Sequence, residues 1–388
     1  MNQTSLELLA LTLTPGLGPV LLARAIARFG SPAAALRATR ADLRAVEGIG
    51  EATANRIHAG LADAPARADA EAALAASMGV TIISRADPDY PPLLHQPPDA
   101  PTILYVRGTL LPRSEDRYPV AIVGSRECSL YGSEQAHRFA TAFAVAGLTC
   151  VSGGARGIDT AAHTGCLKSN GRTLAVLGCG LAHVYPPQNK DLFSEIARRG
   201  AVVSELPLRT PPTGANFPAR NRIISGLSLG VVVIEAGPGS GALITARVAA
   251  EEHGREVFAL PGRVDSPSSR GSHELLKTGG AHLVTDPADV VNLLESAARH
   301  LAAGTHAARY APRAQPAGAT ERPSAAPAPA VESSLQAAII AALLEPKTAD
   351  QLAAETGTPL PELRAELTLL EMQRLVRRIG SQFATATT

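Results

Sequence analysis

The stretch Leu148-Thr149-Cys150-Val151-Ser152-Gly153-Gly154-Ala155-Arg156-Gly157-Ile158-Asp159 decides the fold. A short strand-like run empties into a glycine-rich turn that carries an arginine, and the turn opens into a helical stretch. The same arrangement stands earlier, at Val120-Ala121-Ile122-Val123-Gly124-Ser125-Arg126. Glycines let backbone amides approach an anion closely, and a following helix N-terminus adds a favourable dipole. An arginine at such a turn adds a permanently charged fork suited to phosphate. Two of these turns, from neighbouring strands, point to a grip on phosphates, of a nucleotide or of a nucleic-acid backbone.

From Tyr118 to Val291 the pattern of strand and helix repeats. Strand candidates are Val120–Val123, Leu148–Val151, Thr173–Leu177, Ala201–Ser204, Val231–Ile234, Glu256–Leu260 and His282–Val284. Helical stretches separate them: Ser133–Ala146, Asp159–Ser169, Lys190–Arg199, Arg220–Leu227, Ala242–Glu252 and His273–Lys277. Near-continuous apolar strands between amphipathic helices predict an α/β fold, a Rossmann-like doubly wound parallel sheet covered on both faces. In such sheets ligands bind at the carboxyl ends of the strands. Residues 78–108 add two short strands, Val80–Ser84 and Thr102–Arg107, that lead into this sheet.

On the N-terminal side, residues 4–60 read as wholly helical. Gly16-Leu17-Gly18 and Gly48-Ile49-Gly50 each open into an Ala-rich helix, the signature of an all-α helix-hairpin-helix (SAM-like) domain. Its tight turns need glycines at positive φ. Glu47 and Glu51 flank the second turn and repel phosphate, so a packing or dimerisation role stands beside DNA contact. On the C-terminal side, residues 303–333 are rich in Ala and Pro without periodicity, as in an extended linker. Leu335–Leu344, a helix capped by Thr348, Pro361–Leu370 and a hairpin around Gly380 then make a winged-helix pattern. Its recognition helix would carry Glu362 and Glu366 against Arg364, a poor reader of the major groove. The expected domains are 1–68, 69–302, 303–333 and 334–388.

Lys+Arg 36 against Asp+Glu 35 leave a net charge of +1, so any nucleic acid must bind a local positive cleft rather than a generally basic surface. Cys128, Cys150, Cys166 and Cys179 show no CxxC spacing, which reads as reduced, buried or semi-buried thiols with no metal site and no disulfide framework. Met1–Pro15 has no basic n-region or cleavage site, and no apolar run reaches membrane-spanning length. A soluble cytoplasmic protein is expected.

Glycine turns follow five of the strands, and Arg126, Arg156, Lys190, Arg220 and Arg222 are available beside them. The residues expected to hold an extended anion are Gly124, Ser125, Arg126, Gly154, Arg156, Gly157, Lys190, Phe193, Arg220, Asn221, Arg222, Ser240, Gly241 and Thr245. Alternatives stand beside several. Arg156 could instead pin its loop to Glu205 or Glu235. Asp159 and His163, four apart on one helix face, could be an acid/base pair or a cap and a packing histidine. Lys190 and Phe193 suit a phosphate and a stacked base, although Phe193 could equally be core. GxGxxG dinucleotide spacing and a Walker A motif are both absent, which disfavours nicotinamide and ATP chemistry; no cofactor is expected.

Gly124-Ser125-Arg126, Ser152–His163, Phe217–Leu227, Ser240–Ala246 and Phe258–Gly262 with Ser269–Ser272 closely resemble the DprA (Smf) family of DNA-processing proteins. The resemblance spans the central half of the chain, and the two flanking domains match known extensions of that family. His273 departs from it, standing where the family usually has Asn. The resemblance implies a bacterial single-stranded DNA-binding protein that binds incoming DNA during natural transformation, recruits RecA onto it and forms homodimers through the Rossmann-like domain. It also implies that Arg126 and Lys190 hold phosphates and that Phe193 touches a base. The reading is therefore a non-enzymatic single-strand binder and recombinase mediator. One rival is a nucleotide phosphoribohydrolase using Glu235 or Asp159, and another is a transcription factor acting through the winged helix.

Overall fold

In the computed structural model both arginine-bearing turns lie at the middle of a nine-stranded sheet. The structure describes residues 1–302, 334–343, 345–360, 362, 363, 366, 367, 370, 375–379 and 382–385. The chain forms two units, Met1–Pro312 and Arg313–Thr388.

In the first unit six helices come first: α1 (Gln3–Thr12), α2 (Pro19–Phe29), α3 (Pro32–Leu36), α4 (Arg40–Arg44), α5 (Glu51–Leu61) and α6 (Ala64–Ser77). The two hairpin turns are built as their glycines require, with φ of 91° at Gly16 and 87° at Gly48. Packing does not break at residue 68. Leu8 and Leu9 of α1 share one cluster with Ala64 and Ala68 of α6 and with Val80, Ile82 and Tyr105 of the sheet.

The sheet follows, with β1 (Val80–Ser84), β2 (Ile103–Gly108), β3 (Pro119–Val123), α7 (Leu130–Val145), β4 (Thr149–Ser152), α8 (Ile158–Lys168), β5 (Thr173–Val176), α9 (Lys190–Arg199) and β6 (Ala201–Ser204). After these come α10 (Asn216–Gly226), β7 (Gly230–Val233), α11 (Gly241–Arg247), β8 (Glu256–Ala259), α12 (Arg270–Lys277), β9 (His282–Leu283) and α13 (Pro287–Ala302). Strand order is β1-β2-β6-β5-β4-β3-β7-β8-β9. The seven strands from β6 to β9 are parallel, while β1 and β2 extend one edge in antiparallel fashion.

Why β3 and its neighbours are strands is plain from their burial on both faces. Along β3, Ala121 and Val123 point into the layer that holds Ile223 and Val233, while Val120 and Ile122 point into the layer that holds Phe139 and Phe143. A strand covered twice reads as an unbroken apolar run, which is what made it legible. The chain moves from β3 outward to β6, then returns to lay β7 against the other side of β3. That reversal is the topological switch point, where a doubly wound sheet opens a crevice between diverging loops.

The second unit contains α14 (Ser334–Ala342), β10 (Lys347–Thr348), α15 (Ala349–Thr356), β11 (Val376–Ile379) and β12 (Gln382–Thr385), with its sheet in the order β10-β12-β11. Thr348 caps α15 in a capping box with Gln351. The described residues of the expected Pro361–Leu370 helix are helical, and Leu363, Leu367 and Leu370 pack on Ile339, Leu352 and Phe383. Pro361, Arg364 and Gly380, along with the linker 303–333, lie outside the described residues.

Among the described residues no helix is long and apolar enough to cross a membrane, and no cluster of His, Cys, Asp and Glu is placed to hold a metal. Cys150, Cys166 and Cys179 are buried.

Candidate nucleic-acid interface

The loops after β3, β4 and β7 interlock at the switch point. A Cβ on Gly124 would stand 2.9 Å from the Glu235 carbonyl oxygen and against Ile158. Its absence lets the Ser125 amide donate to that carbonyl at 2.7 Å and the Ile158 amide donate to the Ser125 carbonyl at 3.1 Å. Gly157 has φ 75° and ψ −126°, and a Cβ there would run into the Ser125 and Arg126 carbonyls. These two glycines therefore serve loop-on-loop packing, and the packing turns Arg126 and Arg156 out to solvent.

Between the loops lies an open groove of about 810 Å³. It brings together nine of the expected residues: Gly124, Ser125, Arg126, Arg156, Arg220, Asn221, Ser240, Gly241 and Thr245. The Arg126 guanidinium lies 5.0 Å from the centre of the Phe217 ring, a cation–π contact that holds the arginine without cancelling its charge. Arg156 has no hydrogen-bond or ion-pair partner among the described residues. The two carboxylates that could have pinned it are taken: Glu205 by Arg222 and Glu235 by Ser129. On the opposite wall Ser240 caps α11 by accepting from the Ala242 amide. The Asn221 side chain donates to the Gly241 carbonyl at 3.1 Å, and the Thr245 hydroxyl donates to the same oxygen at 3.2 Å. Asn221 and Thr245 thus shape this wall.

Five expected residues stand elsewhere, and two cations change role. Arg222 is turned away from the groove; it pairs with Glu205 and Asp99 on the other face of α10. Arg220 is only 4% exposed and donates to the Gly153 carbonyl. Burial lowers its pKa to about 10 against the pull of nearby Asp159. Its charge sits in the groove floor, where it does not stand as a free fork. Phe193 is 6% exposed and belongs to a cluster with Leu177 and Ile196. Its ring lies 2.7 Å from where a Gly154 Cβ would be, which explains that glycine at φ 66°. In this conformation Phe193 supports the β4–α8 loop from beneath and offers no ring face for stacking. Lys190 is exposed at the start of α9, outside the groove. The neighbouring Asn189 amide ties that helix start to the Gly154 carbonyl at 3.0 Å and to the Thr160 hydroxyl at 2.9 Å.

The groove's aromatic surface is made by two residues that were not singled out from sequence. Tyr185 is 41% exposed and packs on Phe217 with ring centres 5.4 Å apart. Phe217 opens a motif quoted above and Tyr185 lies in none, and local sequence carries no signal for which of several aromatic rings reaches solvent. Nearby, His273 Nε2 lies 3.2 Å from the Gly262 nitrogen and 3.1 Å from its oxygen, so the departure at this position keeps a hydrogen bond on the β8–α12 loop.

The groups a hydrolase could use, Glu235, Asp159 and His163, each take part in hydrogen bonds within the fold. Glu235 is 3% exposed and accepts from the Ser129 amide and hydroxyl. Asp159, in the first turn of α8, accepts from the Ala155 amide at 3.2 Å, and burial raises its pKa while Arg220 opposes the rise. His163 is fully buried with Nδ1 2.7 Å from the Thr173 hydroxyl. Burial pushes its pKa down to about 3, so it is a neutral packing histidine.

The family described as DNA recombination-mediator protein A matches residues 81–295, a SAM-like helix-hairpin-helix tandem matches residues 7–63, and a DprA winged helix domain matches residues 323–381. Protein Smf of Synechocystis sp. is 39% identical over 303 residues, covering 75% of this chain and 76% of the relative. The X-ray structure of DNA processing protein A from Streptococcus pneumoniae superposes with a TM-score of 0.65 at 35% identity, covering 75% of this chain and 98% of its own. A structure of DNA processing protein A from Helicobacter pylori, described for its single-stranded DNA binding mode, superposes with a TM-score of 0.50 at 29% identity, covering 56% of this chain and 96% of its own.

Proposed function

The chain belongs to the DNA recombination-mediator protein A (DprA, Smf) family, and from that premise we propose that it binds single-stranded DNA along the switch-point groove and passes the strand to RecA. The observation that carries this reading is the groove itself: about 810 Å³, at the carboxyl ends of the parallel strands, with Arg126 and Arg156 exposed on one wall and glycine-rich backbone on the other. Phosphates would lie against the two arginines, with Lys190 extending the positive track toward α9. Bases would stack on the Tyr185–Phe217 surface, since an aromatic face accepts any base. The H. pylori protein's single-strand binding supports the same ligand here.

The role is DNA processing in natural transformation and homologous recombination, in the cytoplasm, as a homodimer and without catalysis. Support for the last point is the engagement of Glu235 and Asp159 in hydrogen bonds that position α7 and the β4–α8 loop. A mobility-shift series with single- and double-stranded DNA, with and without RecA, tests the reading. Preferential retention of single strands, and a RecA-dependent further shift, are expected. Release of free base from nucleoside monophosphates by the purified protein would instead favour the phosphoribohydrolase reading.

A further inference from the structure

A smaller recess of about 30 Å³ opens from the groove floor. Arg126, Arg156, Arg220, Tyr185 and Phe217 line both spaces. The recess's own walls are Gly153, Leu177, Gly178 and Pro186, all buried. Its floor is thus made by the residues that directly follow β4 and β5. Neither glycine has room for a side chain. A Cβ on Gly153 would stand 2.6 Å from Arg220 Nη2, and one on Gly178 would stand 2.8 Å from Phe217 Cδ1. Arg220 also keeps a buried Nε with no hydrogen-bond partner, while nearby Asp159 offsets part of its charge.

Size and shape narrow what can enter. At about 30 Å³ the recess holds roughly two or three water-sized groups, enough for phosphoryl oxygens and too little for a base or a sugar. A backbone phosphodiester offers two free oxygens and a single negative charge. A terminal phosphomonoester ends in three free oxygens and carries about −1.5 to −2 charge, to set against three arginines. Resting on the single-strand reading, we propose that this recess is a terminal-phosphate site: it takes a phosphomonoester, on the end of a DNA strand or on a free mononucleotide, and so distinguishes strand ends from strand interiors.

The full-length protein tests this by fluorescence anisotropy with one short oligonucleotide made four ways: with a phosphate at the 5′ end, with a phosphate at the 3′ end, with hydroxyls at both ends, and circularised. Deoxyadenosine monophosphate is titrated separately and as a competitor. One phosphorylated form should bind on the order of tenfold tighter than the hydroxyl-ended and circular forms. Deoxyadenosine monophosphate should erase that increment while leaving the circle bound. In Arg156→Ala the phosphorylated-to-hydroxyl ratio should shrink toward one. A mononucleotide that binds while no strand gains from its phosphate assigns the recess to free nucleotides. Equal binding of all four strands with no mononucleotide binding overturns the proposal and leaves the single-strand reading intact. If no strand binds at all, that reading fails, and the mononucleotide titration alone decides the recess.

Discussion

Arg220 and Arg222 stand two residues apart on α10, about 200° around its axis, and serve different ends. Arg220 faces the groove floor, whereas Arg222 closes a part-buried network with Glu205 and Asp99. Sequence shows both cations but not which face meets the sheet edge. Arg222→Ala leaves Glu205 without its partner, and a loss of about 3 kcal/mol is expected, read as a lower denaturant midpoint with the single-strand affinity of the folded protein unchanged. Arg156 carries the opposite lesson: it stands unpaired among the described residues because distant residues, Arg222 and Ser129, occupy the carboxylates. His163 gives a prediction in pH. Its pKa falls from an ordinary 6.5 to about 3 on folding, so the unfolded chain takes up a proton that the folded protein refuses. The stability His163 sustains is complete above pH 6.5 and declines as pH falls from 6.5 toward 3. Denaturant midpoints across that window should fall with pH, and the slope should be smaller in His163→Gln.

At the scale of elements, the strands were legible because the central ones are buried on both faces, and the hairpin turns were legible because Gly16 and Gly48 adopt φ values that other residues rarely reach. The switch point was not, since it arises from the return of the chain from β6 to β7, for which no local stretch carries a signal. Nor was the purpose of each glycine. Gly124 and Gly157 admit neighbouring loops, while Gly241 lies in the open groove wall, with Asn221 Nδ2 3.8 Å from a Cβ placed there. Gly157→Ala should therefore cost at least about 1–3 kcal/mol and lower single-strand affinity by parting the β3–α7 and β4–α8 loops. Gly241→Ala should change stability by no more than about 0.5 kcal/mol. Thermal denaturation alongside DNA binding separates the two outcomes.

Over the whole molecule the charges nearly cancel, at +1, so affinity for a polyanion has to come from a local site. The winged-helix unit is expected to add little to it: the Glu366 carboxylate accepts from Gln336 at 2.9 Å, and Glu362, four residues earlier, adds a second negative charge. Deleting residues 334–388 should leave most single-strand affinity in place, as measured by anisotropy. In the proposed function Arg126 and Arg156 neutralise backbone phosphates at the switch-point groove. Single-strand affinity measured over a series of salt concentrations tests it most directly, in the natural protein and in the Arg126→Ala, Arg156→Ala double variant. With roughly 0.7 log units of affinity lost per decade of salt for each phosphate neutralised, the variant's slope should be shallower by about 1.4, its low-salt affinity lower, and its melting temperature close to that of the natural protein. An unchanged affinity and an unchanged slope in a folded double variant would contradict the account.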